Sequence, residues 1–142
     1  MGASQRRKGA DAERELRNML AEHLGEGVIR ELGASRDGGH DITGCGPFAL
    51  EAKRRERIEY AAWWAQACRQ ARESGLVPAL AYRQSRRPWV FVVPMGVVFG
   101  NNAPWEEQPQ ISMGIDGFAL AVREFEATQE RRRQVKAQLE AS

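Results

Sequence analysis

Gly38-Gly39-His40-Asp41-Ile42, followed by Leu50-Glu51-Ala52-Lys53, is the stretch on which the reading of this chain turns. Phe48 to Lys53 alternates with the period of a strand: Phe48, Leu50 and Ala52 on one side, Ala49, Glu51 and Lys53 on the other. His40 to Thr43 reads as a short strand end, and Gly44-Cys45-Gly46-Pro47 is a turn by composition. If the two strands pair as a hairpin, Asp41 and Glu51 converge with Lys53 beside them. Two carboxylates and the backbone carbonyl of Ala52 then make an oxygen-rich site that suits hard Mg²⁺, with Mn²⁺ as its substitute. A lysine at such a site orients a water or stabilises charge at a scissile phosphate. Glycines on both sides of Asp41 let a backbone approach closely. By itself the Glu51/Lys53 pair equally suits an exposed strand. The apolar opposite face, and a third acid, Glu13, in the first helix, favour a metal-dependent phosphodiesterase.

Outward from this stretch the chain reads as follows. Residues 1–9 are polar and basic, and are expected to form a flexible arm. Leu16, Met19, Leu20 and Leu24 mark one face of a helix that starts at Ala10, with Asp11 and Glu13 in its first turn. Gly25 and Gly27 stop it. Val28 to Leu32 is a short strand, and Gly33 to Gly39 a polar turn. Glu59 to Ser74 is a second helix with Tyr60, Trp63, Trp64 and Ala67 as its apolar stripe, ended by Gly75. Val77 to Tyr82 and Trp89 to Val93 are strands around a basic turn. Val97 to Pro109 looks irregular. Ile111 to Ile115 and Phe118 to Val122 are expected as a hairpin around Asp116-Gly117, and Glu124 to Leu139 as a charged peripheral helix. The expected organisation is a flexible basic arm (1–9), a central domain (10–122) and a C-terminal charged helix (123–142), in a small α/β fold with a mixed central sheet.

Composition excludes several classes. The 142 residues suffice for one domain, and 42% hydrophobic with 28% charged residues is a globular balance. No apolar run has the roughly 18–20 residues of a membrane span, and no apolar stretch follows the basic N-terminus, so no secretory signal is expected. Cys45 and Cys68 cannot staple the domain and read as reduced thiols of a cytoplasmic protein. Of 21 basic residues, 18 are Arg. They cluster at Arg6-Arg7-Lys8, around Lys53-Arg54-Arg55 with Arg57, at Arg83 with Arg86-Arg87, and at Arg131 to Arg133. Arginine's fork suits phosphate, so Arg6, Arg7, Lys8, Arg36, Arg54, Arg55, Arg83, Arg86 and Arg87 are the candidate DNA contacts. Trp63, Trp64, Trp89 and Trp105 suit core packing or a dimer face, with stacking on unpaired bases as the alternative.

Asp41 with Glu51-Ala52-Lys53 resembles the signature of the PD-(D/E)XK nucleases. The opening Lys8-Gly9-Ala10-Asp11-Ala12-Glu13-Arg14 is similar, more specifically, to archaeal-type Holliday junction resolvases. The similarity runs over roughly residues 6–95 and implies a restriction-endonuclease-like core. It implies Asp41 and Glu51 as metal ligands, Glu13 as their indirect support, and Lys53 as the catalytic lysine. Ser35 would match a loop serine near the scissile phosphate, and Gln66 a second-helix glutamine near the site. Glu15 is a rival to Glu13. The family's proline before the aspartate is His40 here.

The expected activity is Mg²⁺-dependent hydrolysis of DNA phosphodiesters, with a four-way junction as substrate and a homodimer as the working form. The apolar contact for that dimer is expected from Trp63 or Trp64, or near Trp89. The alternatives are a flap, nick or repair nuclease on the same fold, an RNA-directed nuclease, and a non-catalytic DNA-binding module.

Overall fold

The computed structural model describes residues 2–27, 29–30, 42–100 and 103–142. Among the described residues six strands form one sheet in chain order: β1 (Ile29–Arg30), β2 (Ile42–Thr43), β3 (Phe48–Arg54), β4 (Val77–Arg83), β5 (Val90–Pro94) and β6 (Gln110–Met113). Every adjacent pair is antiparallel except β3 and β4, which are parallel and in register from Phe48↔Val77 to Arg54↔Arg83. A parallel pair needs a crossover, and α2 (Tyr60–Ser74) supplies it. The sheet is therefore mixed, as expected, in an α/β domain.

Helices cover both faces. On one, α1 (Gly2–Leu24) and α4 (Ile115–Glu140) bury Leu16, Leu20, Phe118 and Val122 against Phe48, Leu50, Ala79, Phe91 and Val93. Phe118 stacks on Phe91 with centroids 4.8 Å apart and tilts on Phe48 at 5.4 Å. On the other, α2 packs Trp63, Trp64, Ala67 and Cys68 on Leu80 and Val92. Alternation along β3 assigns Phe48, Leu50 and Ala52 to the α1 face, and Ala49, Glu51 and Lys53 to the α2 face. Gly75 ends α2 at φ 69°, its N–H and that of Leu76 closing on Arg72 and Ala71 carbonyls, a Schellman stop that glycine enters without a Cβ penalty.

Four expectations are corrected. The expected arm, residues 1–9, is helical from Gly2 on: the backbone of residues 2–9 is part of α1. Gln, Arg and Lys are good helix formers, and one interior glycine, Gly9, costs only about 1 kcal/mol. Asp11 and Glu13 consequently lie mid-helix rather than in the first turn. The second correction concerns Asp116-Gly117, which is no hairpin turn; it opens α4. Phe118, Val122 and Phe125 recur at helical spacing and take their place on the sheet. Third, the irregular stretch after β5 holds a short helix, α3 (Gly96–Phe99), and a 3₁₀ turn at Trp105–Glu107. Fourth, Trp63, Trp64 and Trp89 are about 5% exposed and belong to the protomer's own core, so they offer no dimer face.

Cys45 and Cys68 are free and buried. Burial pushes the Cys45 thiol up to about 12, with Glu126 adding to it, and the Cys68 thiol up to about 11 against the opposing pull of Arg72. Among the described residues no helix is long and apolar enough to cross a membrane.

Candidate active site and its basic fringe

Glu51 is the one carboxylate among the described residues that the fold buries outright, at 2% exposure. It lies on β3 with Leu80 of β4 as register partner, under α2. Burying a carboxylate is costly unless charge and hydrogen bonds compensate it. Lys53, two residues on and on the same face, places Nζ 3.4 Å from Glu51 Oε1. Gln66, from α2, donates Nε2 to the same oxygen over 3.0 Å. The strand period puts the lysine there, and the parallel crossover brings the glutamine over it. Three of the expected site residues, Glu51, Lys53 and Gln66, are thus brought together. Lys53 keeps 18% of its side chain in solvent, so the pair opens outward rather than into the core.

Asp41, Ser35, Arg36 and His40 lie outside the described residues, as do the side chains of Arg6 and Lys8. Ile42, next to Asp41, is described: it pairs with Leu50, the neighbour of Glu51. β2 and β3 are thus antiparallel neighbours, paired at Ile42 and Leu50. Among the described residues no three His, Cys, Asp or Glu side chains stand together as a metal cage.

Glu13 and Glu15 fall on opposite flanks of α1. At about 100° per residue, the stripe of Ala12, Leu16 and Leu20 that faces the sheet has Glu13 at one edge and Glu15 beyond the other. Glu15 is ion-paired with Arg83, the last residue of β4. Glu13 is half-buried. Sequence spacing alone left these two acids as rivals. Only the fold reveals that one is bonded to an arginine 68 positions away.

The basic cluster divides in the same way. Arg54 and Arg83 are register partners at the ends of the two parallel strands and are half-buried. Their Nε atoms are buried without hydrogen-bond partners among the described residues. Arg55, Arg57, Arg86 and Arg87 are exposed beyond them, and Arg7 is exposed on α1. A cavity of about 1550 Å³ lies elsewhere, where β3 and β4 begin, between Gly46, Phe99, Leu120 and Phe125; Glu51 and Lys53 do not line it.

Sequence comparison adds the family. The family described as "Phage putative PDDEXK endonuclease" matches residues 4–131. No curated protein matches. Among solved structures, the chain is similar to Archaeoglobus fulgidus Hjc, a Holliday junction resolvase from an archaeal hyperthermophile. That likeness has 22% identity and a TM-score of 0.46, covering 80% of this chain and 88% of that one. Residues 4–131 take in β3 with Glu51-Ala52-Lys53, α2 with Gln66, and the basic fringe, and over that span the chain belongs to the phage PDDEXK endonuclease family.

Proposed function

We propose that this protein is a Mg²⁺-dependent DNA endonuclease that hydrolyses phosphodiesters in branched duplexes, four-way junctions above all, and works as a homodimer. The observation that carries the reading is the buried Glu51 with Lys53 and Gln66 on one of its oxygens. A core carboxylate that costs solvation and is steadied by a cation and an amide suits chemistry better than packing.

The residues fit a hard divalent cation. Glu51 would supply a carboxylate oxygen and Asp41 a second, with Glu13 assigned to their indirect support. Bound there, the metal supplies Lewis-acid polarisation of the phosphate and a more acidic water. Lys53, with three donors and no acceptor, holds the attacking water or the scissile phosphate. Gln66 fixes the rotamer of Glu51. Ser35 is assigned to the scissile phosphate, and Arg6, Arg7, Lys8 and Arg36 to the DNA backbone phosphates.

The choice of a junction rests on the Lys8-Gly9 to Glu13-Arg14 opening. Two symmetric cuts need two active sites, hence the dimer. Its apolar contact is drawn from Phe99, Leu120, Val135 and Leu139, which are exposed on α3 and α4. The test is incubation with a synthetic four-way junction, a flap and a linear duplex, with Mg²⁺, with Mn²⁺ and with chelator. Paired cuts in the junction, absent with chelator, are expected. Equal cutting of flap and junction by a protein that light scattering finds monomeric would replace this reading with a flap nuclease. Cutting in chelator would remove the metal.

A further inference from the structure

The loop after β3 and the turn after β4 are stitched together. Arg54 and Arg83 are register partners, so the two parallel strands end side by side. Beyond them the Arg55 N–H donates to the Arg83 carbonyl over 3.1 Å. Gln84 Nε2 donates to the Glu56 carbonyl over 2.8 Å. Ser85 Oγ donates to Glu56 Oε1. The turn itself closes through the Arg87 N–H on the Gln84 carbonyl at 3.1 Å. Two exits from the sheet thereby form one body.

At its apex Arg86 has φ 63°, the one positive value at a non-glycine position among the described residues. Such a conformation costs free energy and persists where the surroundings hold it; it concentrates at binding and catalytic sites. Arg55, Arg57, Arg86 and Arg87 are all exposed. Among the described residues no carboxylate pairs with any of them. The acid in their midst, Glu56, accepts from Ser85 Oγ. Four cations without a carboxylate, Arg55 resting only on the Arg54 carbonyl, thus stand on a braced and strained pair of loops, whereas Arg133 of α4 has its acid three residues away.

We infer that the cross-tied loops are a phosphate-gripping element that holds one duplex arm beside the cut, with Ser85 and Glu56 as the residues that position its arginines. This rests on the nuclease reading and adds to it where the duplex is held. Lys53 and Tyr82 are register partners, and Arg86 lies four residues past Tyr82, at most about 13 Å on at 3.3 Å per residue. A duplex strand advances 3.4 Å per phosphate. The grip therefore falls on the same duplex arm, within about one helical turn of the phosphate at Lys53. Contacts of this kind fix the position of a duplex without reading its sequence.

The test is equilibrium binding of the full chain to a four-way junction and to linear duplex, in chelator, across a salt series. Arg86→Gly with Arg87→Gln removes two cations, while glycine adopts φ 63° without strain, so the turn survives. The slope of log K against log salt is expected to shrink by about 1.8, roughly 0.9 for each phosphate contact. Ser85→Ala keeps every cation and removes the Ser85 Oγ bond to the Glu56 carboxylate. It is expected to weaken binding roughly 2- to 10-fold, the cost of ordering about one side chain, at an unchanged slope. A double variant with wild-type slope and affinity overturns the grip. Ser85→Ala binding as tightly as wild type overturns the positioning role of the tie. Wild-type protein that neither binds nor cuts DNA would fail the nuclease reading as a whole, a result distinct from normal binding and cutting with unresponsive variants.

Discussion

Gln66 of α2 and Lys53 of β3 meet on a single oxygen of Glu51, at 3.0 Å and 3.4 Å. Glu51→Gln keeps a side chain that Gln66 can still meet but removes the charge. Metal-dependent cutting is expected to fall by about 10³-fold, with DNA binding retained or tighter because a repelling charge is gone. Lys53→Ala should lose cutting and keep metal binding, since lysine is no Mg²⁺ ligand. Calorimetry showing that Lys53→Ala no longer binds metal would contradict the assigned role.

The ion pair between Glu15 and Arg83 separates the two acids of α1. Glu15→Ala leaves the half-buried Arg83 without its carboxylate, and should lower stability by about 1 kcal/mol with cutting nearly unchanged. Glu13→Ala should do the reverse: small loss of stability, severe loss of cutting. Urea unfolding and a cleavage assay on both variants check this. Reversed outcomes would hand the metal-supporting role to Glu15.

His23 should make stability depend on pH. Its Nδ1 is 2.9 Å from the Met19 carbonyl and its Nε2 is 3.0 Å from Asp116 Oδ1. Both partners are acceptors, so the ring satisfies them only when both nitrogens carry protons. Its pKa is raised above the usual 6.5, first by the Met19 carbonyl and then by Asp116, with Glu22 adding a smaller pull. A raised folded value gives stability that is fully present below about 6.5 and is lost as pH rises through the folded pKa. Melting temperatures of wild type and His23→Gln should differ most near pH 5.5 and draw together by pH 9. A constant gap would mean that the imidazolium contributes nothing.

Gly46 sits at φ 58°, and a Cβ added there would meet Glu126 Oε1 at 2.5 Å. The carboxylate can swing away, so the backbone conformation carries most of the penalty. Gly46→Ala should lower stability by about 1–2 kcal/mol, seen as a lower urea midpoint at unchanged slope. An unshifted midpoint would show that the turn relaxes.

Much of this architecture was legible because period and punctuation agreed. Phe48 to Lys53 alternates, Gly75 stops α2, and Val77 to Tyr82 has a strand's composition. These elements appear within a residue or two of expectation. The start of α4 was misread because Asp-Gly suits a tight turn and a helix N-terminus alike, and only Phe118 docking between Phe48 and Phe91 decides between them. The start of α1 was hidden by polar residues that read as solvent-loving whether coiled or helical. At the site, Glu51 and Lys53 follow from strand period. That Arg83 belongs to Glu15, and that Glu56 belongs to Ser85, depends on contacts across the sheet that no local pattern encodes.

The sheet's strand order, which simply follows the chain, has a kinetic consequence. Most pairings close short loops and lose little chain entropy in doing so. The contact between the end of α1 and the start of α4 is different: His23 and Asp116 are 93 residues apart. Nucleation is therefore expected in the antiparallel β4–β5 pair with α2 packed on its Leu80 and Val92, with the seam between the two helices joining after the barrier. Substitutions in that seam should then speed unfolding while leaving the folding rate almost untouched, and substitutions under α2 should slow folding itself.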